Sequence, residues 1–145
     1  MRYRRILIAV HDSKYSERTA RLGISLANDL SAELTLVYVV ESVYTIGSID
    51  SGILPQESEK ENIAKGRKIL EGFIAKYPVY NNYQLIVKTG DPSTEILKQA
   101  GQWKADLIVI GRHGLESFKH LVFGGVVDEV ATHAHIPVML VPFTK

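Results

Sequence analysis

The sequence predicts an α/β fold: an open, doubly wound, five-stranded parallel sheet with helices on both faces, formed by residues 1–145 as a single domain. Three observations carry this. Five short apolar runs recur along the chain, and each is almost uninterrupted, as strands buried on both faces require. Every gap between them holds a segment whose apolar residues fall three and four apart, the spacing of a helix with one buried side. No internal repeat, low-complexity tract or linker divides the chain, and 145 residues fall short of the roughly 200 that a closed eight-fold α/β barrel needs.

Ile6–Val10 is the first run, with charge before it and His11, Asp12 and Ser13 after it. Residues 16–30 follow as a helix through Thr19, Leu22, Gly23, Leu26, Ala27 and Leu30, with Ser13 or Ser16 as its cap. Glu33–Val40 is rich in Leu and Val and reads as the second strand. Residues 41–55 carry Gly47, Ser48, Ser51, Gly52 and Pro55 and read as a long loop, with Tyr44 and Ile46 available to fold over a ligand. A second helix spans about 57–77 through Ile63, Gly66, Leu70, Phe73 and Tyr77, and Tyr83–Lys88 is the third strand. Asp91 is the expected N-cap of the third helix, with Pro92 at its first position and Ile96, Leu97 and Ala100 inside. Ala105–Ile110 is the fourth strand, and a glycine-bounded loop runs from Gly111 to Phe123. After Gly124 and Gly125 a fourth helix buries Val126, Val127, Val130, Ala131 and Ala134, and Pro137–Pro142 is the last strand.

Composition narrows the chemistry. The chain is 46% hydrophobic and 23% charged, ordinary for a globular domain. Its 17 Lys and Arg against 16 Asp and Glu give net +1, which argues against a whole-surface nucleic-acid binder. The absence of cysteine removes disulfide scaffolds, thiolate metal sites and thiol nucleophiles, and suits a reducing cytoplasm. No apolar run approaches the roughly 20 residues of a membrane span, and the Ile6–Val10 run is too short for a secretory leader.

In an open parallel sheet, ligands bind beyond the carboxyl ends of strands where the strand order reverses. Two predicted strand ends carry polar residues and glycines: His11, Asp12 and Ser13 after the first, and Gly111, Arg112, His113 and Gly114 after the fourth. Gly124 and Gly125 leave bare amides at a helix start, and Arg112, Lys119 and His120 add positive charge nearby, a combination that favours an anion such as phosphate. Glycines that simply form turns account for the same pattern.

The run Gly111-x2-Gly114-x9-Gly124, followed by a helix and His133-Ala-His-Ile-Pro-Val138, resembles the universal stress protein family. So do Arg5-Ile-Leu-Ile-Ala-Val10 with Ser13 and Ser16, Gly90-Asp91-Pro92 with Ile96, and Ala105–Gly111. The likeness covers nearly the whole chain in order. It implies strand order 3-2-1-4-5, a homodimer through the last strand at Val138, Met139, Leu140 and Val141, and an adenine nucleotide (ATP, ADP or AMP) as ligand. By position, His11 would lie near the nucleoside, Val39 would line the adenine pocket, and Ile110 and Gly111 would touch base and ribose. Gly114, Gly124, Gly125 and Val126 would cradle phosphates. Ala9, Asp12 and Arg112 complete the candidate set.

Three positions depart from the family pattern. His11 replaces an Asp, Gly125 replaces a Ser or Thr, and Val127 stands where a second hydroxyl is frequent. Each lost hydrogen bond removes about 0.5–1.5 kcal/mol, which weakens nucleotide binding without abolishing it, because backbone amides remain. The resemblance implies a cytoplasmic stress-response protein with a regulatory or protective role. An adaptor with an empty site, and a slow ATPase, stay as alternatives.

The remaining residues have simpler readings. Asp12 either holds Mg²⁺ with the phosphates or caps the first helix. His133 and His135 lack a third metal ligand, and a helix C-terminus explains His133. Trp103 is a packing residue, and Arg2, Arg4 and Arg5 form a solvated lead-in to the first strand.

Overall fold

The computed structural model describes residues 2–12, 14–41, 55–111 and 125–142. The apolar runs pair as β1 (Arg5–Val10), β2 (Glu33–Glu41), β3 (Tyr83–Gly90), β4 (Leu107–Gly111) and β5 (Val138–Val141). The segments with helical spacing form α1 (Lys14–Asp29), α2 (Pro55–Lys76), α3 (Pro92–Trp103) and α4 (Gly125–His133). All pairs are parallel and the order is β3-β2-β1-β4-β5. The expected fold class is therefore the observed one.

Burial follows position in the sheet. In β1, Ile6 to Val10 are each at most 2% exposed, and β4 is buried throughout. The outer strands β3 and β5 are largely half-buried or exposed. Because strand side chains alternate, the sheet divides the core into two. Ile6, Ile8, Val10, Leu34, Leu36 and Tyr38 meet Ala20, Ile24 and Leu70 of α1 and α2 on one face. Leu7, Ala9, Val37, Val39, Ile108 and Ile110 meet Ile96, Ala100, Val126 and Val130 of α3 and α4 on the other.

The helices differ in detail from the expected stripes. α1 runs 14–29 rather than 16–30, and its buried face is Ser16, Thr19, Ala20, Gly23, Ile24 and Ala27. Leu22 and Leu30 therefore fall on the outer side, as does Ile63 of α2. Small residues let α1 approach closely: a Cβ on Gly23 would stand 2.5 Å from Ile8 Cδ1. α3 starts as expected: the Asp91 carboxylate accepts from the Thr94 N–H at 3.1 Å and from the Ser93 and Thr94 hydroxyls. Those bonds, led by the Thr94 hydroxyl, hold its pKa below the usual range.

β4 starts at Leu107, two residues later than expected, because Asp106 closes the sheet's amino end. Its Oδ2 accepts from the Arg4 and Arg5 N–H groups at 2.8 and 2.9 Å. Arg5 is correspondingly engaged: Nη1 donates to the Trp103 carbonyl at 2.8 Å, Nε to Glu33 at 3.3 Å, and the guanidinium lies 5.8 Å from the Trp103 ring centre. Lys104 ends α3 in a left-handed conformation, φ 60°, which costs about 1–2 kcal/mol relative to glycine.

Gly66 brings α2 against β2: a Cβ there would stand 2.5 Å from the Tyr38 ring. Gly66→Ala is expected to destabilise the protein by about 1–2 kcal/mol, overpacking outweighing alanine's better helix propensity, as read from the urea midpoint.

Candidate functional site

The carboxyl ends of the strands separate the candidate residues into two groups. Ala9 pairs with Ile110 across the β1–β4 seam and with Val37 across the β1–β2 seam. Val39, two residues beyond Val37, faces the same way. With Val126 at the start of α4, these side chains form one apolar surface on the α3/α4 face, beside buried Gly111 at the end of β4. Strand order reverses here, since β1 leads to β2 on one side and pairs with β4 on the other. Gly125 opens α4 with φ +59°, and among the described residues beyond its own helix turn no heavy atom lies within 4 Å of where its Cβ would be. Val127 packs half-buried against the same cluster. Arg112, Gly114 and Gly124 lie outside the described residues, as do Ser13, Tyr44, Ile46, His113, Lys119 and His120.

His11 and Asp12 go to the other face. Alternation would put His11 beside Ala9, but β1 ends at Val10 and the chain turns there. The His11 N–H donates to the Ser16 hydroxyl at 2.8 Å, so Ser16 closes the β1–α1 turn from inside the helix rather than capping it. The His11 ring stacks on Tyr38, centroids 5.2 Å apart and planes 10° from parallel. Asp12 pairs with Lys65 of α2. Neighbouring Glu17 binds Lys76 and accepts from the Tyr77 hydroxyl at 2.7 Å, tying α1 to the end of α2. His11 and Asp12 line a shallow cleft of about 290 Å³ with Ile69 and Phe73 of α2.

The electrostatics match that placement. Burial, opposed by Asp12 and aided by Lys65, lowers the His11 pKa to about 4, so its imidazole is neutral at pH 7. Burial, with the Asp12 charge, raises the Tyr38 hydroxyl to about 12. Among the described residues, no cluster of three or more His, Cys, Asp or Glu could hold a metal ion. His133, in the last turn of α4, lies 3.4 Å from Glu129. No described helix is long and apolar enough to cross a membrane.

Sequence reasoning did not find Tyr38 or Lys65. The available signal was Gly66 inside a helix, which marks a close approach to a large neighbour and places Lys65 beside it.

Because the His11 pKa is lower in the native state, the unfolded chain binds more protons between about pH 6.5 and 4. The stabilisation is complete above that window and is lost as pH falls through it. The expected loss is about 2 kcal/mol, allowing for the ring's remaining contact with water. A histidine NMR titration should place the His11 midpoint near 4, and His11→Phe should flatten the stability profile across the window.

Comparison with known proteins agrees with this architecture. The universal stress protein family pattern matches residues 2–142. A universal stress protein of Methanocaldococcus jannaschii is 30% identical over 149 aligned positions, covering 99% of this chain and 84% of that protein. The UspA structure from Lactobacillus plantarum superposes with a TM-score of 0.79 at 25% identity, over 97% of this chain and 99% of the other. Two further structures share the fold: a universal stress protein in complex with cAMP, and one from Archaeoglobus fulgidus in complex with dAMP. Their TM-scores are 0.69 and 0.61 at 20% and 23% identity, covering 99% and 97% of this chain and 100% and 98% of theirs. With the family pattern matched from end to end over a 3-2-1-4-5 parallel sheet, the chain belongs to the universal stress protein family.

Proposed function

We propose that this protein binds an adenine nucleotide at the β1/β4 reversal and acts in the cytoplasm as a single-domain regulatory or protective stress-response protein. The carrying observation is the buried apolar cluster of Ala9, Val39, Ile110 and Val126, gathered beside Gly111 at the carboxyl ends of β1, β2 and β4, where the strand order reverses. An apolar neighbourhood suits a purine ring, and the start of α4 supplies amides for phosphate. Universal stress proteins of this fold complexed with cAMP and dAMP support the ligand class. In this reading Arg112, Gly114 and Gly124 complete the phosphate side. His11 and Asp12 support the turn from behind rather than touch the nucleotide. Mg²⁺ would enter on the phosphates, because the Asp12 carboxylate is engaged by Lys65. We read this as a binding site rather than a catalytic one; His11 stacks on Tyr38 on the opposite face.

A second reading is an adaptor of the same fold without a nucleotide, favoured by Gly125 and Val127, which supply no hydroxyl at the start of α4. Calorimetric titration with AMP and ATP separates the two. Binding with a dissociation constant between about 10 µM and 1 mM, with NMR shifts at Val39, Ile110 and Val126, is expected. No binding at millimolar ligand would overturn the nucleotide reading and leave the adaptor.

The proposed homodimer pairs through β5, an edge strand whose Met139 and Leu140 are 41% and 46% exposed. An apolar edge strand left open is an aggregation hazard, so pairing it is physically favoured. Leu140→Glu is expected to weaken association by about tenfold or more in sedimentation equilibrium.

A further inference from the structure

A cavity of about 480 Å³ opens at the end of the sheet opposite the β1/β4 reversal, between the last turns of α3 and α4. Its floor is apolar and buried: Ile108, Ala100 and Ala105, with Leu97 and Ile136 as half-buried walls. Lys98, Lys104, His133 and His135 stand around its exposed rim. The rim also includes Gly101.

Two residues here run against what the helix alone favours. Gly101 lies inside α3, where alanine would suit the helix better, yet beyond its own helix turn no atom of the described residues lies within 4 Å of where its Cβ would be. Neither a turn nor a packed neighbour requires glycine there; what glycine does is keep the cavity mouth wide. Lys104 takes the left-handed position that glycine normally fills at a helix end, and it places a cation on the rim. Three carbonyls in the last turn of α3 are hydrogen-bonded. The Lys104 and Ala105 N–H groups bond the Ala100 carbonyl, the Lys104 N–H also reaches the Gly101 carbonyl, and Arg5 bonds the Trp103 carbonyl. An anion at the mouth meets the ammonium groups of Lys98 and Lys104.

We infer that this cavity is a second ligand site, for a small amphipathic carboxylate whose apolar body rests on Ile108 and whose anionic head meets Lys98 and Lys104. Its volume lies within the range of small-molecule sites, about 300–1,000 Å³. It is independent of the nucleotide reading, being built from the opposite ends of the strands.

The test is ¹H–¹⁵N NMR of the full chain titrated with naphthalene-2-carboxylate and, separately, its neutral carboxamide. Shifts confined to residues 97–108 and 133–136 are expected, with the acid bound about fivefold or more tighter than the amide. Gly101→Leu, a good helix former at an exposed position, should keep a folded spectrum and lose both ligands by about tenfold or more. Lys104→Gly, which suits the left-handed backbone, should weaken the acid several-fold and leave the amide unchanged. The inference is overturned by absent or scattered shifts at millimolar probe, by equal affinity for acid and amide, or by binding that survives Gly101→Leu. Cavity resonances that move with protein concentration alone would also overturn it, marking the face as a contact between copies of the chain. A parallel AMP titration reads Val39, Ile110 and Val126, so either site can fail without the other.

Discussion

The fold depends on two adjacent strands, β1 and β4, being buried on both faces. Once Ile6–Val10 and Leu107–Gly111 occupy the centre of the sheet, no polar side chain can be held along their length without a partner. Helices must cover both faces, and the chain must cross from one face to the other. That crossing occurs between β3 and β4, through α3. Polar chemistry is pushed to the strand ends, where backbone and solvent can satisfy it. The interior shows how strict this is: fully buried Thr35 is matched by a 2.9 Å hydrogen bond from the Gln84 amide.

The two ends of the sheet meet the constraint differently. At the amino end one carboxylate, Asp106, takes the N–H groups that open β1 and fixes where β4 begins. Arg5 then spans Glu33 and Trp103, so the starts of β1, β2 and β4 are joined by charge-assisted hydrogen bonds. At the carboxyl end the His11 N–H is tied to Ser16, and the Asp12 carboxylate turns toward Lys65 of α2. On the α3/α4 side the described residues at the reversal include the buried apolar cluster of Ala9, Val39, Ile110 and Val126. A base clamped in this way leaves the opposite strand ends as the place where a ligand would be received without disturbing the sheet.

What the sequence made legible was what periodicity controls. Uninterrupted runs identified the strands, and the family resemblance, not the spacing, singled out Val39 and Ile110. Asp91 and Pro92 marked a helix start because capping is local. Periodicity fails where an element stops. His11 follows Ala9 by two residues but leaves its face, because β1 has ended and Ser16 holds the turn. Leu22 and Leu30 have helical spacing but lie outside the buried stripe, since small residues, Gly23 and Ala27, face the sheet instead. Long-range partners such as Lys65 for Asp12 leave no trace in local spacing.

Gly125 shows how a departure from a family pattern changes meaning once its backbone is known. Read as a side-chain loss, it removes one hydroxyl from the phosphate side. With φ +59°, it is also a conformation that serine or threonine adopts at a cost of about 1–2 kcal/mol. A hydroxyl restored at this position would therefore either strain the start of α4 or rotate it into another backbone state. The glycine and the conformation belong together, and the loss is of a different kind from that at Val127, where a β-branched residue sits in ordinary helix and contributes packing. The amides at the start of α4 depend on backbone direction alone, so an anion there would be held by the part of the site that Gly125 shapes.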